Sequence, residues 1–227
     1  MTESLRRLDR PAVDLMQLHN QLGSETGNGH LSIDHVLAPG GVANALDRLR
    51  DQSLTRFTGL TALGDAGACR DAIASGRFDT AQVYYNMLNP SAARSMPGAW
   101  TGHDFSGVMA ACEVADVGVM NIRVFAAGVI PTDARHGREV VVTDDSSVEI
   151  EEHRVRAVFT FLGADHGTRA QTAIRHSLAN PKIAGVIVGL AELEHIDEAV
   201  AGFEAGPLPD DAMAALEAVY ASNFDLG

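Results

Sequence analysis

Several polar side chains stand where the chain pattern places strand ends. His19 and Asn20 close the apolar run at 13–20. Thr61, Asn86 and Arg123 lie at or near the ends of three later runs, and Gln82 lies inside one of them. In a parallel α/β barrel, the C-terminal ends of the strands form the active face. A guanidinium at such a place suits a pyrophosphate or a carboxylate; the alternative is a salt bridge in the barrel mouth. An uncharged amide in an otherwise apolar strand needs a hydrogen-bond partner when buried, so Gln82 is either a ligand-binding group or a satisfied core amide. His19 is either a substrate-pocket residue or a capping histidine. The plain alternative for the whole set is that strand ends are where chain meets water.

Other chemistries lack their patterns. The nine histidines show no HExxH, and His30, Asp34 and His35 share a glycine-rich loop without metal-ligand spacing. No GxGxxG and no GxxxxGK[ST] occurs, so those two phosphate grips have no support. Cys69 and Cys112 give no disulfide framework and no CxxC knuckle, and their helical settings point to core packing.

The elements that must position these side chains follow from periodicity. Apolar runs at 13–19, 55–60, 79–86, 117–125 and 183–189 read as buried strands. Helical patterns fill 42–54, 66–75, 104–116, 148–162, 168–178, 191–203 and 210–223, with Asp65 and Asp210 as N-caps and Gly76 as a terminator. Residues 20–41, rich in glycine, read as one long irregular loop, and 131–147 as another. Strands that alternate with helices and are apolar on both faces are the signature of a parallel α/β sheet covered by helices. No linker, composition break or repeat appears, so residues 1–227 read as a single domain.

Composition excludes several classes. The chain has 227 residues, 46% hydrophobic and 21% charged, with a formal charge of −13. So acidic a chain has no general attraction for nucleic acid or anionic membrane. The charged start, Thr-Glu-Ser-Leu-Arg-Arg, has no apolar core of a signal peptide, and no run of about 18 apolar residues exists. A soluble cytoplasmic protein with no nucleic-acid or membrane partner is the expectation.

At this point the chain resembles a known family, the aldo/keto reductases. The matching stretches are Ser-Leu-Arg-Arg-Leu from residue 4, Val-Asp-Leu-Met-Gln-Leu-His-Asn at 13–20 and Arg-Phe-Thr-Gly at 56–59. They continue with Phe-Asp-Thr-Ala-Gln-Val-Tyr-Tyr-Asn at 78–86 and Val-Met-Asn-Ile-Arg-Val-Phe-Ala-Ala-Gly at 119–128. The last are Ala-Ile-Arg-His-Ser-Leu-Ala-Asn-Pro at 173–181 running into Val-Ile-Val-Gly, then Pro-Leu-Pro-Asp-Asp at 207–211. The long loop and Tyr-Tyr-Asn-Met-Leu-Asn-Pro are most similar to the aldose, fucose and galactose dehydrogenase branch. The resemblance implies an α/β fold of (β/α)8 TIM-barrel type. It also implies hydride transfer between NAD or NADP and a small-molecule sugar or carbonyl substrate.

The resemblance assigns roles residue by residue. His19 would orient the substrate carbonyl, with Asn20 beside it. Gln82 matches the glutamine that binds the nicotinamide carboxamide. Thr61 stands where the family has a serine, but Ala62 replaces its asparagine. Ile122 takes the place of a stacking aromatic and offers only an apolar floor, and Arg123 follows it near the cofactor phosphates. Gly189 opens the stretch after the last strand. His195 falls near the family's phosphate-binding arginine, and Glu198 lies beyond it. That stretch carries Glu192, Glu194, Asp197 and Glu198 and no Lys or Arg. It would repel a 2′-phosphate, which favours NAD slightly over NADP.

The match begins at the family's third helix and fourth strand. The barrel is therefore expected to be incomplete, with the first three β/α units missing. Of the family's catalytic Asp, Tyr, Lys and His, only His19 has a counterpart; Tyr84, Tyr85 and Tyr220 stand outside the tyrosine motif, and Lys182 is the only lysine. Five strands cannot close an eight-stranded barrel, so open edges and self-association through them are expected. Hydride transfer by residues 1–227 alone is expected to be undetectable. The alternative is a non-catalytic interaction or regulatory module, or a decayed remnant, derived from the barrel.

Overall fold

The computed structural model describes residues 2–137, 139–143 and 145–226. Arg138 and Asp144, within the loop expected at 131–147, lie outside the described residues, as do the two terminal ones. The chain divides into two compact units: Met1–Val83 with Gly107–Val119, and Tyr84–Ser106 with Met120–Gly227.

Unit 1 opens with α1 (Thr2–Leu8) and β1 (Val13–Leu18). The stretch read as a loop at 20–41 instead holds two three-residue strands, β2 (Gln21–Gly23) and β3 (His30–Ser32), and α2 (Ile33–Leu37). Strands this short carry no usable alternation. The clearest local signal was Ser32, whose hydroxyl caps α2 by accepting from the His35 N–H at 3.2 Å. Next come α3 (Val42–Asp51), β4 (Thr55–Ala62), α4 (Ala66–Ala74) and β5 (Thr80–Tyr84), whose last residue passes into unit 2. β1 and β4 pair in parallel, with Val13 opposite Thr55 and Leu18 opposite Leu60. β4 and β5 pair the same way from Gly59–Thr80 to Ala62–Val83. Side chains at Gly59 would collide with Thr80 and Gln17, so only glycine allows the strands this close. α5 (Val108–Val114) and the first residues of β6 (Gly118–Ile122) complete the unit, where the Gly118 N–H donates to the Asp79 carbonyl at 2.9 Å.

Asp65 caps α4 as expected, accepting from the Ala68 N–H at 2.7 Å. The helix expected from 104 starts only at Val108, because Gly107 sits at φ +83 and Asp104 is spent on a turn, accepting from the Ser106 N–H at 2.8 Å. Cys69 and Cys112 are free and buried, and burial pushes their thiols up to about 12 and about 11. They are core, not nucleophiles.

Unit 2 holds the end of β6, then α6 (Val148–Leu162), α7 (Arg169–Leu178), β7 (Ile183–Val186), α8 (Glu194–Glu204) and α9 (Asp210–Ala221). The Ile187 N–H donates to the Asn121 carbonyl at 2.9 Å, which holds the two strands side by side. Thr168 and Gln171 cap α7 reciprocally. Asp210 is not the cap of α9: Pro209 occupies that position without a side-chain bond, and Asp210 lies in the first turn. The core of the unit packs Leu88, Ile130, Val155, Val158, Ile174, Leu216, Val219 and Phe224 together.

One buried centre in this core is polar. His176 on α7 is fully buried, stacked on Tyr85 with ring centroids 4.9 Å apart, and its Nε2 lies 3.4 Å from both the Tyr85 and Tyr220 hydroxyls. Burial drives its pKa down to about 3, so the ring is neutral.

Candidate functional site

In unit 1 two residues expected to bind cofactor, Thr61 and Gln82, bond to each other. The Thr61 hydroxyl donates to the Gln82 side-chain oxygen at 2.9 Å. Neighbouring parallel strands place the two opposite each other, so the register does the positioning. His19 and Asn20 follow β1 and are both exposed. The Asn20 amide reaches the Gly29 carbonyl at 3.5 Å, tying it to the neighbouring loop.

In unit 2 the end of β6 opens into a cavity of about 830 Å³. That lies within the usual size for a small-molecule or cofactor site. Arg123, Gly189, His195 and Glu198, all expected to bind cofactor, line it together. Ile122 is not among its lining residues; it precedes Arg123 at the end of the strand. Asn86 is buried as a turn-former: its side chain accepts from the Leu88 and Asn89 N–H groups and donates to the Arg123 carbonyl at 2.8 Å. It anchors the backbone that carries Arg123.

The backbone there is strained. Arg123, Ala126 and Ala127 have φ of +62, +45 and +56. Left-handed non-glycine residues cost on the order of 1 kcal/mol each and persist where the surroundings over-determine them, often at ligand sites. The Arg123 guanidinium donates to the Val140 carbonyl at 2.8 Å, and among the described residues no carboxylate pairs with it. Its charge acts on the buried Glu151 carboxyl only through space, and its side chain lines the cavity.

The far wall is differently built. His195 Nδ1 accepts from the Ala191 and Glu192 N–H groups, each at 3.3 Å. The ring thus covers the start of α8 and, when neutral, carries its proton on Nε2. Glu198 accepts from the Thr168 hydroxyl at 2.6 Å, which also caps α7. A Cβ at Gly189 would meet nothing within 4 Å, so its backbone is open to close approach. Glu139 and Glu192 join Glu198 in the lining, and Arg123 is the one described Lys or Arg there.

A buried charged cluster near Arg123 escaped the sequence reading. Glu151 and Arg154 on α6 are 4% and 2% exposed. Arg154 lies 4.6 Å from the Trp100 ring centre and 5.4 Å from that of Phe224, with Nε and Nη2 lacking partners. Burial pushes the Glu151 carboxyl up to about 7 although Arg154 and Arg123 pull it down, and burial lowers Arg154. The Tyr84 hydroxyl in the same cluster is pushed up to about 12 by burial. The signal was present: 151 and 154 fall on the apolar stripe of Val148, Val155, Val158 and Leu162.

A family model described as "Aldo/keto reductase family" matches residues 1–221. The chain belongs to the aldo/keto reductase family. No curated protein matches it. Among solved structures, the aldo-keto reductase AKR11C1 from Bacillus halodurans in its holo form is similar over 96% of this chain, with TM-score 0.70 and 16% identity. Its apo form gives 0.68 and 18%. An aldo/keto reductase from Klebsiella pneumoniae, in complex with NADP and acetate, is similar over 97% of this chain, with TM-score 0.63 and 16% identity. The chain spans 62% of the holo Bacillus reductase, 66% of its apo form and 63% of the Klebsiella one. These likenesses support an α/β fold of the TIM-barrel kind for this aldo/keto reductase chain.

Proposed function

We propose that the cavity of unit 2 holds the phosphate and ribose part of a nicotinamide dinucleotide. The observation that carries this is Arg123: a guanidinium without a carboxylate partner among the described residues, on strained backbone, in the wall of an 830 Å³ cavity. Arg123 would take a phosphate oxygen by a charge-assisted bond. Gly189 lets the ligand approach the backbone, and His195 Nε2 and Glu198 are placed for ribose hydroxyls. Three carboxylates in the lining favour the free hydroxyls of NAD over the 2′-phosphate of NADP. The similar reductase from Klebsiella pneumoniae is in complex with NADP, so both dinucleotides belong in the test.

In unit 1, Gln82 with Thr61 is suited to a carboxamide and His19 with Asn20 to a substrate carbonyl. The apolar Ile122, at the end of β6, is left to contact the nicotinamide ring. A bound nicotinamide supplies hydride transfer, here with a sugar or small carbonyl compound. Residues 1–227 on their own hold one of the four groups the family chemistry uses, so they bind without turnover. Supporting this reading is the absence of any second lysine from the sequence. Equilibrium titration with NAD and with NADP tests it: NAD saturates the chain more tightly, and Arg123→Ala weakens both.

A further inference from the structure

Arg154 on α6 is a buried cation whose donors are not used up by the protein. It is 2% exposed, yet its Nε and Nη2 have no hydrogen-bond partner. These two nitrogens share one edge of the guanidinium. That edge presents parallel N–H donors and is the one that takes a carboxylate bidentately. Beside it the Trp100 Nε1, also buried, has no acceptor. The Arg154 guanidinium carbon lies 4.6 Å from the Trp100 ring centre and 5.4 Å from that of Phe224. Buried donors in native folds are nearly always satisfied, so a group of unpartnered ones points to a small ligand.

Charge selects the kind of ligand. A guanidinium stays protonated even when buried, so Arg154 needs a counter-charge. Glu151, three residues earlier on α6, acts on it only through space, and burial pushes that carboxyl up to about 7. At pH 6 Glu151 is therefore mainly protonated, and it leaves the Arg154 charge unbalanced. The surroundings select its size and polarity. The neighbouring rings of Trp100 and Phe224 are apolar, which suits an anion with one polar end. The Trp100 ring packs directly on the Gly102 backbone, where a Cβ would collide with it, so the indole is fixed in place. Trp100 is itself half-buried and follows exposed Gly98 and Ala99, so solvent lies one side chain away.

We propose that Arg154 and Trp100 form a further ligand site of unit 2, which takes a small monocarboxylate of the size of formate. The two carboxylate oxygens accept from Nε and Nη2 of Arg154, and one of them also accepts from the Trp100 indole N–H. The ligand's single negative charge balances the guanidinium. The proposal does not depend on nucleotide binding.

Trp100 is the only tryptophan, so its emission reads this place in the fold. The full chain is titrated at pH 6 with sodium formate, and with sodium chloride at the same ionic strength. Formate should change the emission saturably and at least about tenfold more tightly than chloride. Arg154→Gln should abolish the response. Arg154→Lys, which keeps the charge and loses the fork, should weaken it at least about tenfold. Should both variants fail to fold, the unmodified chain decides: its melting temperature should rise with formate and not with chloride. Saturable binding by Arg154→Gln, or an equal response to chloride, overturns the proposal. So does the lack of any response, which would leave internal water as the partner of these donors. A response lost in Arg123→Ala and kept in Arg154→Gln would place the carboxylate in the cavity of Arg123, and overturns it as well.

Discussion

In unit 1, Thr61 and Gln82 meet across two neighbouring strands at 2.9 Å, on extended backbone held by regular pairing. In unit 2, Arg123 leaves the end of β6 in a left-handed conformation, followed by two alanines of the same hand. The first pair is uncharged and spends its acceptor internally. The second site keeps a guanidinium for a ligand and stores strain in the loop that presents it. Strand pairing alone can place two polar groups in register; presenting a charge to a cavity takes a loop that the rest of the unit forces into shape.

Titratable burial sharpens the contrast, because the polar pair of unit 1 cannot ionise while unit 2 buries His176 and Glu151. The largest expected effect is acid sensitivity through His176. Its folded value of about 3 lies below the ordinary 6.5, so between these the unfolded chain binds a proton the fold refuses. Stability should fall as pH drops through that window, by about 1.4 kcal/mol per pH unit from this group. Glu151 works in the opposite sense. Its folded value of about 7 lies above 4.5, so stability falls as pH rises from 4.5 to 7. Denaturant melts across pH should show an acid limb that flattens in His176→Phe and an upper limb that flattens in Glu151→Gln. An acid limb unchanged in His176→Phe would break the account of that centre.

Next in size is Arg123→Ala, which should weaken dinucleotide binding by about 2 kcal/mol, the scale of a lost charge-assisted bond. Thr61→Val should cost about 1 kcal/mol of stability by stripping the Gln82 oxygen of its donor, readable as a lower denaturation midpoint. The smallest is Ala127→Gly. Relief of a left-handed alanine should stabilise the chain by up to about 1 kcal/mol, whereas a destabilised variant would show that the loop is not strained.

Much of this was legible in the residues. The strands at 13–19 and 55–60 and the helix at 148–162 follow from apolar period, and Thr168 with Gln171 announces the start of α7. Arg123, Gly189, His195 and Glu198 were expected around one ligand and do line one cavity. What escaped has physical reasons. β2 and β3 are too short for a period, and Gly107 delays α5 by a left-handed residue that no pattern of apolar positions encodes. Pro209 supplies extended backbone ahead of α9, which left Asp210 without the capping role. Glu151 and Arg154 went unremarked in the sequence, because charged residues in a helical pattern carry no sign of burial, although their places on its apolar stripe put them inside.

The most direct test is calorimetric titration of residues 1–227 with NAD, beside the same titration of Arg123→Ala. Saturable binding, weakened at least about tenfold in the variant, is the predicted result. No saturable binding, or the same affinity with and without the guanidinium, would contradict a dinucleotide site in unit 2.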